Sequence, residues 1–138
     1  MNLNWALRMV EELETASKAS AAMFKLNIIR KALNLGQDLY LTKDPEDSYI
    51  YYPYNPFVTK SSTYYNSDIN SGKMEIIGTI KCEGEEYNVL GGDADGGGVG
   101  FLGCANKEIA KHLGKYFGML ITEAKYGDMV DFEIISSY

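Results

Sequence analysis

The stretch that decides the fold of this chain is Met74–Cys104, MEIIGTIKCEGEEYNVLGGDADGGGVGFLGC. Apolar and polar residues alternate over residues 73–82, and this period of two predicts a half-buried strand. One face of the strand would carry Met74, Ile76, Ile80 and Cys82, and the other Glu75, Thr79 and Lys81. Glu83-Gly84 supplies the left-handed backbone position that a two-residue hairpin needs. We therefore predict a second, antiparallel strand over residues 85–90.

After this hairpin the sequence predicts a loop, a strand and a helix. Residues 91–98 are rich in glycine and are interpreted as a flexible connection, with a strand over residues 99–104 behind it. Asn106 can cap a helix over residues 107–117. The apolar face of that helix would consist of Ile109, Ala110, Leu113, Tyr116 and Phe117.

The last part of the chain predicts a closing hairpin. Gly118 can end the preceding helix. Residues 119–126 and 129–135 then read as two strands joined at Gly127-Asp128. The second strand would place Val130, Phe132 and Ile134 on a common face.

The first 36 residues predict a helical arm. Two apolar stripes at helical spacing, Leu3, Leu7, Val10 and Leu13 and then Ala22, Leu26, Ile29 and Leu33, lie about 100° out of phase. One interpretation is a helical hairpin that breaks near residues 17–20 and packs on its own sheet. The alternative is one long helix with two neighbours, which predicts a homo-oligomer formed through residues 3–33.

Between the arm and the central hairpin the sequence predicts short strands and loops. Residues 38–42 read as a short strand, residues 48–54 as an edge strand that contains a proline, and residues 57–59 as a brief strand. Residues 61–72 read as a loop. The predicted fold is therefore α+β in a single domain, residues 1–138: the helical arm 1–36, and an antiparallel sheet of about five to six strands over 38–138 with one later helix packed on it.

The charge of the chain is concentrated in its middle. Of the net charge of −6, residues 44–104 contribute ten acidic and three basic side chains, and they also hold seven of the eleven tyrosines. An acidic surface repels nucleic acid and anionic lipid and attracts a basic partner. We therefore expect neither direct nucleic-acid binding nor membrane binding.

Composition also limits the location and the chemistry. No apolar run has the length of a membrane span, and acidic residues interrupt the start of the chain where a signal peptide would be apolar, so a cytoplasmic location is expected. Cys82 and Cys104 are then expected to be reduced, and their spacing matches no zinc pattern. His112 is the only histidine and is placed on an exposed helical face, so we expect no catalytic residue, no cofactor and no enzymatic activity.

The glycine-rich segment is the first candidate site, through Gly92, Asp93, Asp95, Gly96 and Gly97. Two aspartates two residues apart occur in many calcium loops, and backbone amides of such a segment can also hold a ligand. The full EF-hand spacing is absent, since Cys104 stands where the bidentate glutamate belongs. Asp93 and Asp95 are thus only weak metal candidates. A metal-dependent hydrolase that uses them is one alternative function.

The tyrosine-rich segment is the second and preferred candidate. Its predicted partner-binding residues are Tyr49, Tyr51, Tyr52, Tyr54, Tyr64 and Tyr65, with Asp44, Glu46 and Asp47 beside them. Tyrosine is enriched at protein interfaces, and rings next to carboxylates suit arginine or lysine through cation–π contacts and ion pairs. The competing interpretation is that half of these tyrosines lie in the core or on a sheet face.

These observations favour a non-enzymatic binding protein that blocks or sequesters a basic protein surface, such as that of a nucleic-acid-binding protein. Phage-encoded inhibitors of host defence, including anti-CRISPR proteins, are of this size and charge, which is an analogy of type. A further alternative is a sponge that binds a small nucleotide signal between protomers, in a pocket formed by the N-terminal helices and the glycine-rich segment.

Overall fold

The computed structural model describes residues 17–33, 50–97 and 102–138. In these ranges the elements follow in the order α1 (Lys18–Leu33), β1 (Ile50–Tyr54), β2 (Phe57–Thr59), α2 (Asn66–Asn70), β3 (Glu75–Cys82), β4 (Glu85–Gly91), β5 (Asp93–Gly97), α3 (Lys107–Tyr116), α4 (Gly118–Tyr126) and β6 (Glu133–Ser137). The chain is α+β, as predicted. The predicted strand 38–42 and the part of the predicted helical arm before residue 17 lie outside the described residues.

The strands form two antiparallel sheets where one was predicted. The larger has the order β2-β4-β3-β6, and the smaller is the pair β1-β5. The chain passes from one sheet to the other three times: directly at Asn55-Pro56 between β1 and β2, directly at Gly92 between β4 and β5, and by way of α3 and α4 between β5 and β6. Gly92 has φ +105°, a left-handed conformation that favours glycine. The two direct connections lie together, since the Leu90 amide donates to the Pro56 carbonyl at 2.9 Å.

The central hairpin is confirmed. Strands β3 and β4 pair up to Cys82 and Glu85, and the two turn residues have φ 52° and 80°, the positive values of a type I′ turn. The predicted polar face of β3 is wrong at Thr79, which is buried. A β-bulge between Ile76 and Gly78 shifts the alternation. Tyr138 also lies on the face of β3 that carries Thr79, because its hydroxyl is 3.3 Å from Thr79 Oγ1.

The predicted strand over residues 119–126 is wrong, because these residues form helix α4, which begins at Gly118 where the preceding helix was expected to end. Helix α4 is buried on two sides. Met119 packs in the core cluster of the larger sheet, whereas Ile121 belongs to the cluster beneath α1 and α3. An apolar run buried on both sides carries no amphipathic period, so periodicity does not distinguish it from a buried strand.

The closing hairpin about Gly127-Asp128 does not form. Strand β6 begins only at Glu133, and Asp131 before it has φ 64°, which interrupts an extended backbone. The predicted common face therefore fails at Val130, which is 82 % exposed, although Phe132 is buried.

The glycine-rich segment is a strand and not a flexible loop. Strand β5 pairs with β1 along its whole length, so that Tyr51 lies opposite Gly96 and Ile50 opposite Gly97. Large side chains across the ladder shield the backbone of strand glycines from solvent, which lets a glycine-rich sequence pair. Of the predicted strand 99–104, residues 99–101 lie outside the described part of the chain. Leu102 is in a turn, and Cys104 makes a single bridge to Tyr51.

The predicted helices are confirmed where the structure describes them. Asn106 caps α3, since its Oδ1 accepts a hydrogen bond from the Ile109 amide at 2.9 Å. The apolar face is confirmed at Ala110 and Leu113, but Tyr116 is 63 % exposed. In α1 the stripe predicted from Ala22 to Leu33 packs inward, and this helix lies against α4. A short helix, α2, occupies part of the predicted loop 61–72. None of the described helices combines the length and hydrophobicity needed to cross a bilayer.

We expect Gly84→Ala to lower the free energy of unfolding by about 1 kcal/mol, because alanine pays a steric penalty in the left-handed region. Nothing lies within 4 Å of the position that the new Cβ would occupy. The loss of stability would therefore come from the backbone conformation alone and not from a steric clash with neighbouring residues. Urea denaturation measures it. Glu83→Asn is the matched variant and should not lower stability, since asparagine tolerates positive φ. A Gly84→Ala protein as stable as the wild type would contradict the turn geometry.

Candidate partner-binding site

The pairing of β1 with β5 divides the tyrosine-rich segment into an inner and an outer face. Tyr52 lies opposite Asp95 and Tyr54 opposite Asp93, so these four side chains share one face of the ladder. Tyr51 and Pro53 alternate to the other face, where α3 packs, and Tyr51 contacts the core cluster that contains Leu113. Among the predicted tyrosines that the structure describes, Tyr51 follows the competing interpretation, because strand alternation turns its side chain toward the core.

A cleft of about 390 Å³ lies between this outer face and the end of α4. Its lining combines aromatic rings, two prolines and three polar side chains: Tyr52, Pro53, Tyr54, Asn55, Pro56, Phe57, Asp95, Lys125 and Tyr126. This volume is at the lower end of the range for small-ligand pockets. The cleft therefore has the size of a side chain or a small molecule.

The two aspartates of β5 differ in their surroundings. Asp93 pairs with Lys73 at 3.4 Å, and its other oxygen accepts a hydrogen bond from the Ala94 amide at 2.9 Å. Asp95 lines the cleft, and no ion pair joins it to a residue in the described ranges. Lys125, also in the lining, has an interaction of its own. Asp95 is therefore the carboxylate available to a ligand.

Two tyrosine hydroxyls meet at the edge of this face. The Tyr54 and Tyr65 oxygens are 2.8 Å apart. The hydrogen bond with Tyr54, the burial of the phenol, and the charges of Asp68 and Asp95 together raise the pKa of Tyr65 to about 12. Tyr65 is thus neutral at physiological pH. We call Tyr52, Tyr54, Tyr65 and Asp95 the tyrosine–aspartate face.

Asn55 fixes the segment that carries this face to the rest of the molecule. Its Nδ2 donates to the carbonyls of Leu90, at 2.9 Å, and Gly114, at 2.8 Å. Since both neighbours are acceptors, the amide nitrogen must point toward them. Its Oδ1 is buried and lacks a hydrogen-bond partner in the described structure. Such an unpaired acceptor lowers stability by about 1–3 kcal/mol, which the two donated bonds must offset.

A second, more apolar cavity of about 180 Å³ lies behind the wall of the cleft. Its lining consists of Phe57, Ile80, Cys82, Glu83, Tyr87, Tyr126, Met129 and Phe132. Phe57 and Tyr126 line both cavities. The Phe57 ring meets those of Tyr87 and Tyr126 edge to face, with ring centroids 5.3 Å apart in each pair. These contacts make Phe57 and Tyr126 a rigid wall of the cleft.

The remaining predicted site residues are scattered. Tyr64 is 80 % exposed and its ring contacts only the Tyr65 ring among the described aromatic side chains. Gly92 forms the bend before β5, and Gly96 and Gly97 lie opposite β1 as ladder residues. The structure does not describe Tyr49, Asp44, Glu46 and Asp47.

Six residues that line the cleft were not predicted as site residues: Pro53, Asn55, Pro56, Phe57, Lys125 and Tyr126. Lys125 and Tyr126 were assigned to a strand. The strong helix formers Leu, Glu, Ala and Lys in residues 119–126 are the signal that could have placed them at a helix end. For Asn55 no local signal exists, since its partners are 35 and 59 residues away.

The described residues contain no group of three or more His, Cys, Asp or Glu side chains that could hold a metal ion. His112 is exposed, as expected, and its ring lies next to that of Tyr116. Cys82 and Cys104 are free thiols. Among the described residues, the cleft brings polar and aromatic side chains together, and we therefore take it as the candidate site.

Comparison of the chain with protein-family models, with curated proteins and with solved structures finds no match.

We expect Tyr54→Phe to lower the pKa of Tyr65 toward its ordinary value of 10, because the variant removes the hydrogen bond that contributes most to the shift. Tyrosine Cζ chemical shifts followed by NMR against pH measure it. Since folding raises this pKa, the stability that Tyr65 contributes is complete below about pH 10 and is lost between pH 10 and 12. A Tyr65 titration that is identical in both proteins would contradict the paired hydroxyls.

Proposed function

We propose that this chain is a non-enzymatic binding protein that docks a basic protein surface on the tyrosine–aspartate face and so blocks or sequesters its partner. The observation that supports it best is the cleft, which combines aromatic walls with the Asp95 carboxylate. A partner such as a nucleic-acid-binding protein presents the arginines and lysines that complement it. A cytoplasmic location is part of this proposal.

The physical argument rests on what tyrosine does at an interface. Tyr52 and Tyr54 are half-buried, so each ring is already partly ordered before a partner arrives. Ordering a flexible side chain opposes binding by about 0.5–1.5 kcal/mol, and rings fixed in advance avoid most of that. Aromatic side chains in partly enclosed positions are also the commonest hot spots of protein interfaces.

Asp95 is the negative charge that a cationic partner would meet in the cleft, whose lining also contains Lys125 with an interaction of its own. Asp95 faces the cleft, and Asp68 and Asp95 act together on the Tyr65 phenol. The hydrogen bond with Tyr54 is the largest cause of the raised pKa of Tyr65, and the two carboxylates add to it in the direction that a nearby cation would offset. Inhibition of host defence by a phage-encoded protein of anti-CRISPR type is one biological setting for such a binder and stays a hypothesis.

The two alternatives stay predictions with less support from the geometry. A nucleotide sponge was expected to use the glycine-rich segment as a loop, but in strand β5 the backbone groups of that segment face β1. A metal-dependent hydrolase was expected to use Asp93 and Asp95, which do share a face. Asp93, however, is held by Lys73.

The test is affinity capture from a lysate of the host cell with matched variants, at low and high salt. Tyr52→Ala removes a ring of the cleft and Asp95→Asn removes its carboxylate without changing its shape. We expect each to reduce capture of a basic protein by about tenfold or more, as for a hot-spot residue. High salt should weaken wild-type capture, since it screens the ion pairs.

Tyr116→Ala and Asp131→Asn are the controls, because both residues are exposed and lie away from the cleft. Asparagine also tolerates the positive φ of residue 131. Both should capture the partner as the wild type does. Thermal unfolding confirms that all four variants are folded. If no protein is retained better by the wild type than by Tyr52→Ala, the proposal is wrong.

A further inference from the structure

We propose that the cleft is a subsite for the guanidinium group of a single arginine side chain of the partner. This inference rests on the proposed function and specifies the chemistry that the tyrosine–aspartate face recognises. It requires that the walls suit a flat cation, that a carboxylate is available to pair with it, and that the cleft exists before the partner binds.

The walls suit a flat cation. Tyr52, Tyr54, Phe57 and Tyr126 supply four aromatic rings, and Pro56 supplies rigid apolar surface beside them. Pro53 lies between Tyr52 and Tyr54 in the backbone, with its side chain on the α3 side of the ladder. A cation is attracted to the face of an aromatic ring through the quadrupole of the ring, and the attraction grows as water is excluded. The prolines fix the backbone on which two of the rings are mounted.

The carboxylate available for pairing is Asp95. Its neighbour on the ladder, Asp93, is engaged by Lys73 and by the Ala94 amide, whereas Asp95 lines the cleft. The same cleft contains Tyr54, whose hydroxyl is bonded to that of Tyr65. A neutral phenol can accept one hydrogen bond from a guanidinium N–H while Asp95 accepts others. The acceptors and the rings therefore satisfy both parts of a guanidinium group, its edge and its face.

Arginine fits this arrangement better than lysine. Its planar group stacks on rings, presents several N–H donors in one plane and is weakly hydrated, whereas an ammonium is a strongly hydrated point charge. Asp95 and the Tyr54 hydroxyl, the acceptors, lie at the side of a cleft with aromatic walls. An ammonium group would lose water on entering it without the stacking on the rings that a planar guanidinium gains. The subsite should therefore discriminate between the two cations.

The cleft exists before the partner binds. Asn55 ties its floor to β4 and α3 by two hydrogen bonds, and the Phe57 ring is held between Tyr87 and Tyr126. A subsite formed in advance does not require ordering of its walls at the moment of binding.

The test is an NMR titration of the isotope-labelled protein with three acetylated, amidated tripeptides, Gly-Arg-Gly, Gly-Lys-Gly and Gly-citrulline-Gly. Citrulline has the shape of arginine without its charge. We expect the arginine peptide to shift the backbone amides of residues 52–57 and 93–96 and to bind about fivefold or more tightly than the lysine peptide. The citrulline peptide should give no saturable shift.

Asp95→Asn and Asp93→Asn are the matched pair of variants, since each removes one negative charge from the same strand. Asp95→Asn should weaken arginine binding about fivefold or more, and Asp93→Asn less than about twofold. Equal effects of the two variants, equal affinity for arginine and lysine, or shifts elsewhere would overturn the subsite. The proposed function fails separately, when capture of a basic protein does not depend on Tyr52 and Asp95.

Discussion

The two hydrogen bonds donated by the Asn55 side chain are the constraint on which the arrangement of this protein depends. They join the connection between the two sheets to β4 and to α3. Two glycines make room for them: a Cβ on Gly91 would lie 2.5 Å from the Gly114 carbonyl oxygen, and one on Gly118 would lie 2.5 Å from Asn55 Nδ2. The close approach of strand, helix and amide therefore requires residues without side chains.

The same connection explains why a functional face can exist next to a buried one. Because the chain enters the larger sheet after Asn55 and leaves it at Gly92, β1 and β5 form a separate ladder with α3 on one side. Because side chains alternate along β1, Tyr51 packs against the core and Tyr52 lines the cleft. The stability of the fold and the proposed recognition of a cation use different residues of one strand.

Local signals in the sequence predicted the fold class, the type I′ hairpin, strand β2 and the capped helix α3, since turn geometry and capping depend on neighbouring residues. The sequence failed where distant contacts decide. Helix α4 reads as a strand because two core clusters bury it, and β5 reads as a loop because β1 supplies its pairing. The cleft shows the same division: Tyr52, Tyr54 and Asp95 were predicted from the sequence, whereas Asn55, Lys125 and Tyr126 join them only through tertiary packing.

The most direct test of this account is the solvent exchange of the Asn55 side-chain amide protons, followed by NMR. Both protons are bonded to carbonyl groups at the junction of β4 and α3, so they should exchange about 100-fold or more slowly than those of Asn70, an exposed asparagine at the end of α2. That result would show that the floor of the cleft is fixed in the free protein. Exchange of both side chains at the same rate would contradict the account, because the cleft would then have no permanent attachment to the core.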